Sequence, residues 1–268
     1  MVNKFKYSLD NKRYHTWNYY LRRTFGEKVF KVSLNGGFTC PNIDGTKSIG
    51  GCTYCSSLGS GDFAGNPQKS IHEQFSEVKA QLHKKWHDAK YIAYFQANTN
   101  TYAPVSVLRE KFEPVLNEEN VVGLSIATRA DCLPDDVLDY LSELNGKTNL
   151  FVELGLQSVS DETGRKINRA HTYSEFLQGY NALRERGIKT CVHLIVGLPG
   201  ENRDMILKSA LTVARLKPHS IKLHLLHILK GTVMAEQYAR GEFDVLSRDE
   251  YVNLIVDILE LISEDTVI

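Results

Sequence analysis

The chain has 268 residues, of which 42% are hydrophobic, and its formal net charge at pH 7 is zero. This length and composition suit one α/β domain with a large core, and zero net charge excludes a protein that coats nucleic acid through its overall charge, although a local basic patch stays open. No apolar run reaches the roughly eighteen residues of a membrane span, and the first residues lack the apolar stretch of a signal peptide. We therefore expect a cytoplasmic protein that does not bind a membrane.

Residues 1–30 are predicted to form a basic and aromatic extension, separate from a domain over residues 31–268. Residues 1–31 carry eight lysines and arginines against two acids, and aromatic side chains lie among them. Cations beside stacking surfaces are typical of single-stranded RNA binding, so Arg22 and Arg23 are candidate substrate-binding residues. The alternative is that the aromatic side chains pack on the domain while the basic groups stay in water.

From the thirty-first residue onward, short apolar runs alternate with helical patterns. Three helices are predicted to begin with a capping box, at Ser70, Thr172 and Ser247, each followed three residues later by glutamate. Buried parallel strands are typically near-continuous apolar runs. The strand-like runs cover residues 31–35, 91–96, 121–129, 149–158, 189–199 and 220–229.

Six strands separated by helices indicate right-handed crossovers and an all-parallel sheet. We therefore expect an open or partial TIM-like (β/α)6 barrel, with a doubly wound sheet as the alternative. Both architectures place the active site at the carboxyl ends of the strands.

Three of the five cysteines lie in one loop, GFTCPNIDGTKSIGGCTYCS at residues 37–56, just after the first predicted strand. They are Cys40, Cys52 and Cys55, and such a cluster in a cytoplasmic chain indicates metal binding or catalysis. A structural zinc requires four ligands, whereas three cysteines on a [4Fe–4S] cluster leave one iron open to another ligand. A zinc-stabilised RNA-binding module without catalysis stays open, with His72 or His15 as the fourth ligand.

The Cys40-x11-Cys52-x2-Cys55 arrangement, with Tyr54 before the last cysteine, resembles the radical S-adenosylmethionine (SAM) enzymes of the YhcC/YtqA type. This branch is related to the catalytic subunit of Elongator. The resemblance begins near residue 14. It rests on the segments FTCPN, GGCTYC, YFQANTNTYAP, GLSIATRADCLP, VELGLQS and HLIVGLPGE. Most of the superfamily has three residues between the first two cysteines, where this chain has eleven. Family members usually continue past residue 268, so we expect a truncated carboxyl-terminal end.

The resemblance implies a [4Fe–4S] cluster on the three cysteines, SAM on the open iron, and an electron donor that drives cleavage to a 5′-deoxyadenosyl radical. It further implies a tRNA substrate, in which 5-carboxymethylaminomethyluridine at the wobble position becomes 5-aminomethyluridine. The alternative within the same chemistry is a small metabolite or a protein as substrate.

The residues that the resemblance assigns to SAM lie at the ends of the predicted strands. Gln96 and Asn98 stand where many members carry Gly-Gly-Glu, and Glu153 would bind the ribose, unless it is a core carboxylate paired with a basic side chain. Arg129 is expected to bind a substrate carboxylate with two parallel hydrogen bonds. No catalytic residue is predicted. The residues expected in the core are His193, His224, His227, Cys132 and Cys191, although Cys132 follows the third strand and could face the site. The predicted cofactor-binding residues are Gln96, Asn98, Glu153, Gln157, Ser158, Arg169 and Gly197.

Overall fold

A single parallel sheet of six strands forms the centre of the molecule in the computed structural model, which describes residues 6–7, 12–83 and 89–268. The strands lie in the sheet in their chain order, so every neighbour is also the next strand along the sequence. They are β1 (Val29–Leu34), β2 (Lys90–Phe95), β3 (Val121–Thr128), β4 (Asn149–Gln157), β5 (Lys189–Val196) and β6 (Ser220–Leu225).

Helices follow the strands and cover the outer face of the sheet, where their apolar sides meet the outward residues of the strands in the main core. The capping boxes predicted at Ser70, Thr172 and Ser247 are confirmed, with the glutamate three residues later bonded back to each cap. The described helices are α1 (Trp17–Phe25), α2 (Ile71–His83), α3 (Val105–Phe112), a short 3-10 helix (Pro114–Asn117), α4 (Asp135–Lys147), α5 (Asp161–Lys166), α6 (Tyr173–Glu185), α7 (Arg203–Leu216), α8 (Val233–Ala239) and α9 (Arg248–Leu261).

The partial barrel predicted from the sequence is confirmed. A doubly wound sheet reverses its strand order at a switch point, and the sequential order found here has no such reversal. The last two strands are shorter than predicted. The final pair in their ladder joins Val196 to Leu225, and Gly197, with φ at +93°, turns the chain away. Residues after Leu225 therefore lose their neighbouring strand.

The amino ends of the strands are closed by α1. Trp17 and Tyr20 lie against the inward side chain of Phe151, with ring centroids 5.2 and 6.3 Å apart, and Leu21 is buried beside Val29. Ile268 exchanges backbone hydrogen bonds with His15 and Trp17. We call this group of α1 and Phe151 the floor of the barrel.

The first residues are described only in part, because residues 1–5 and 8–11 lie outside the described ranges. Lys6 pairs with Glu264 at 2.9 Å, so the basic start of the chain contacts its acidic end. The division between an extension and a domain at residue 31 stays a prediction. Among the described residues, no helix is long and apolar enough to cross a bilayer.

Candidate active site

A cavity of about 460 Å³ opens at the carboxyl ends of the strands, and all three loop cysteines line it. Parallel strands present their carboxyl ends at one edge, and loops there converge on the same space. The cavity continues down the inner face of the sheet, where alternate strand residues point inward. In β5 these are Cys191, His193 and Ile195, while Val192 and Leu194 face the helices.

The cysteine loop is a series of tight turns that brings its sulfurs together. The amide of Cys55 donates to the carbonyl of Cys52 at 2.9 Å. Gly50 and Gly51 have φ of +82° and +73°, a left-handed conformation that glycine adopts without strain. The side-chain amide nitrogen of Asn42 lies 3.5 Å from the Cys52 sulfur, and the Ser60 hydroxyl lies 3.4 Å from the Cys55 sulfur. These polar neighbours suit sulfurs that carry negative charge.

The number of cysteines distinguishes a closed single-metal site from a larger cluster. A structural zinc takes four ligands, and the loop places three cysteines on this cavity. A [4Fe–4S] cluster, in which each cysteine ligates a different iron, fits three cysteines and leaves one iron open to another ligand.

The cysteine thiols stay protonated near pH 7 until a metal cation binds them. Burial and the charge of Cys55 raise the pKa of Cys52 to about 11, and burial raises the pKa of Cys55 as well. Iron must displace these protons to bind thiolates. The two histidines considered as zinc ligands lie elsewhere, since His72 bonds Glu118 and His15 stacks on Tyr7, so the zinc alternative loses its fourth ligand.

Glu153 lies inside the barrel, 2% exposed, and its carboxylate accepts hydrogen bonds from Lys31, Ser125 and His193. Burial alone would raise its pKa, but the Lys31 ammonium and His193 outweigh this and hold the pKa of Glu153 well below its ordinary value. The carboxylate therefore stays ionised. These contacts match the core-carboxylate alternative, and the ribose contact stays a prediction.

The remaining cofactor predictions divide into two groups. Gln96, Asn98 and Gln157 line the cavity. Ser158 and Gly197 are not among the residues that line it. The Ser158 hydroxyl donates to Glu201 at 2.5 Å.

Both predicted arginines at this end line the cavity, yet their guanidinium groups already bond the chain itself. Arg129 forms two hydrogen bonds to Asp131, at 3.0 and 2.8 Å. Arg169 donates to the backbone carbonyls of Leu156, Ser158 and His171, which fixes the loop after β4. Any contact of either arginine with SAM or substrate stays a prediction.

Arg22 and Arg23 lie on α1, at the floor of the barrel. The strands between the floor and the cavity have six to nine residues, which corresponds to about 20–30 Å at 3.3 Å per residue. The fold therefore does not bring these two residues together with the cysteines.

Sequence reasoning missed several residues that line the cavity. Tyr94, Lys222 and His224 point inward from β2 and β6. The alternation of Lys222 and His224 along β6 was an available signal, although the apolar residues of this strand led to a core prediction for His224. His227, also expected in the core, is exposed and lines the cavity. His171 is the other case. Its side chain is buried, and neither ring nitrogen has a hydrogen-bond partner in the described structure.

Two family models match this chain. Residues 48–213 match the model of the Radical SAM superfamily, and residues 218–268 match a Radical SAM C-terminal domain.

Three curated relatives show how far the likeness extends. YtqA of Bacillus subtilis is 58% identical over 266 residues, which cover 99% of this chain and 83% of that protein. YhcC of Escherichia coli is 41% identical over 232 residues, covering 86% and 74%. A tRNA uridine(34) acetyltransferase of Methanocaldococcus jannaschii is 28% identical over 141 residues, covering 52% of this chain and 26% of that protein.

Among solved structures, an archaeal Elp3 from Methanocaldococcus infernus superposes with a TM-score of 0.62 at 18% identity. The match covers 86% of this chain and 53% of that chain, so the present chain spans about half its length. This likeness concerns the fold. Members of the superfamily bind a [4Fe–4S] cluster and SAM, which the three cysteines on the cavity fit. The chain belongs to the radical SAM superfamily.

Proposed function

We propose that this radical SAM enzyme modifies tRNA at the wobble uridine and converts 5-carboxymethylaminomethyluridine to 5-aminomethyluridine. The observation that carries the proposal is the sequence likeness to a protein named for uridine 34 of tRNA. The cavity suits such a substrate, because Phe63 is 90% exposed at its edge. Exposed aromatic rings stack unpaired bases in RNA-binding proteins.

The cluster and SAM, when bound, supply a 5′-deoxyadenosyl radical after an external donor has provided one electron. The carboxymethyl carbon of the substrate lies between an amine and a carboxylate. Loss of one hydrogen atom and one electron from this carbon gives an iminium ion, which becomes an imine when the nitrogen releases its proton. Water then hydrolyses the imine to 5-aminomethyluridine and glyoxylate. The electron lost from the substrate offsets the one consumed in cleaving SAM, so the net reaction needs no further oxidant.

The residues of the chain bind, orient and shield the reactants. Cys40, Cys52 and Cys55 would hold the cluster, and the side-chain amides of Gln96 and Asn98 offer hydrogen bonds to SAM from the wall of the cavity. Because Gln96 already donates to the carbonyl of Ser60 at 2.9 Å, its orientation is fixed before a ligand arrives. Such fixed contacts reduce the reorganisation that binding requires.

The test uses protein reconstituted anaerobically with iron and sulfide, then incubated with SAM, a reductant and tRNA that carries 5-carboxymethylaminomethyluridine. Mass spectrometry of the nucleosides is expected to show 5-aminomethyluridine, formed together with 5′-deoxyadenosine. A Cys55→Ala variant serves as the inactive control. Cleavage of SAM with unchanged tRNA nucleosides would indicate that the substrate is a small metabolite or a protein instead.

A further inference from the structure

The inner face of the barrel carries a cluster of charged and polar groups below the cysteine loop. Lys31 and Glu153 form an ion pair there. Beside that pair, Glu153 bonds His193 at 2.9 Å, and His193 lies 3.3 Å from His224, nitrogen to nitrogen. The carboxylate therefore has its own partners and offers little to a further cation.

Lys222 is the second lysine of this cluster, and its position differs from that of Lys31. It lies directly across the β5–β6 ladder from His193 and lines the cavity with the cysteines. Its ammonium lies 5.8 Å from the centre of the Tyr94 ring. Among the described residues, the ammonium has neither a hydrogen-bond acceptor nor an ion-pair partner.

The protonation states leave this part of the cavity positively charged. Burial, then the nearby His193 and Lys222, lower the pKa of His224 to about 3, and burial lowers the pKa of His193. Both rings are neutral near pH 7. Two lysines against one glutamate leave this cluster with a net charge of plus one, and a partly buried positive charge is stabilised by an anion.

We propose that Lys222 determines substrate specificity by binding the carboxylate of the uridine side chain. The inference rests on the proposed function. Lys222 is the third residue of β6 (Ser220–Leu225), below the strand end, so it is reached from inside the cavity. A carboxylate at the tip of a base substituent can extend to this depth, whereas the RNA backbone stays at the surface. Binding the carboxylate would hold the adjacent carbon in a fixed place for hydrogen abstraction.

The experiment compares two tRNA substrates, one with the carboxymethylaminomethyl group and one with the neutral methylamide of the same group. We expect the wild-type enzyme to prefer the carboxylate by 10–100-fold in kcat/KM, the range of a charged hydrogen bond. Lys222→Met should remove this preference, because kcat/KM with the carboxylate should fall to about the value measured with the methylamide. Lys222→Arg should retain most of it. Lys230→Met, the same change at an exposed residue beyond β6, is the matched control.

SAM also carries a carboxylate, and a second measurement separates the two sources. SAM affinity and SAM cleavage without tRNA are expected to be the same in Lys222→Met and the wild type. A fall in either one would assign the ammonium to the cofactor and overturn the proposal. An equal preference for the carboxylate in Lys222→Met and the wild type would also overturn it. A wild-type enzyme that converts neither tRNA would instead overturn the proposed function, and the assignment of this carboxylate with it.

Discussion

The two ends of the barrel are built from different kinds of residues. At the floor, Trp17, Tyr20 and Phe151 bury apolar surface against each other. At the cavity, thiols and charged groups such as Lys222 remain accessible. The difference suggests that the floor stabilises the open sheet, while the cavity keeps groups whose partners are ligands. Buried polar groups without partners reduce stability. The apolar contacts at the floor therefore offset the stability that is lost at the cavity.

The strongest test of this comparison removes a thiol at the cavity. Cys52→Ala should abolish cluster binding and lower the rate of SAM cleavage at least 1000-fold, because electron transfer to SAM requires the cluster. Iron analysis and quantification of 5′-deoxyadenosine report the two effects. Cys132→Ala is the control, since Cys132 is buried beside a different surface pocket. Equal iron in both variants would contradict the assignment of the loop.

A change at the floor should act on stability alone. Phe151 is 1% exposed, and truncating a buried phenylalanine typically destabilises a protein by about 3–5 kcal/mol. We expect Phe151→Ala to lose that much unfolding free energy in denaturant titrations, with the iron content of the folded protein unchanged. Phe63→Ala, at an exposed position, should change stability by less than about 0.5 kcal/mol. Loss of iron from folded Phe151→Ala would show that the two ends are coupled.

His219 packs against the floor and makes stability depend on pH. Burial, then Lys189 and His15, lower the pKa of His219 to about 4, against an ordinary value of 6.5. A depressed histidine pKa means that the unfolded chain binds the proton more tightly, so stability is complete above pH 6.5 and falls as the pH drops toward 4. The loss is about 2 kcal/mol between pH 7 and 5.

His219→Phe should remove this dependence, because a phenyl ring can keep the contacts with Tyr20 and Phe151 without binding a proton. Unfolding free energies of the reconstituted protein, measured anaerobically across this pH range, provide the check. Parallel curves for the variant and the wild type would show that protons bind elsewhere.

The sequence was informative where one feature determines the structure locally. The capping boxes at Thr172 and Ser247 and the cysteine spacing needed no tertiary information, and the apolar runs located all six strands. Tertiary information was needed for Lys222, because the alternation along β6 shows only that Lys222 and His224 share a face, and the curl of the sheet decides that this face lines the cavity. The bidentate partner of Arg129 was also not predicted. It is Asp131, only two residues away, and a local ion pair of this kind leaves no signal in apolar periodicity.

The smallest expected effect concerns a basic patch at the floor, and it asks whether that end contacts RNA at all. Arg22 and Lys12 are close enough to Lys28 that, after burial, their charges lower its pKa, so positive charge is concentrated there. Each phosphate contact contributes a little under one unit to the slope of log affinity against log salt.

Replacing Arg22 and Arg23 with alanine should therefore weaken tRNA binding about threefold to tenfold near physiological salt and flatten the slope by one to two units. Arg240→Ala with Arg248→Ala, the same charge change within the acidic carboxyl-terminal region, should leave the slope as it is. SAM cleavage without tRNA should be equal in all three proteins, because the floor lies far from the cavity. An unchanged slope in the Arg22 and Arg23 variant would limit the floor to a packing role and confine RNA contacts to the cavity end.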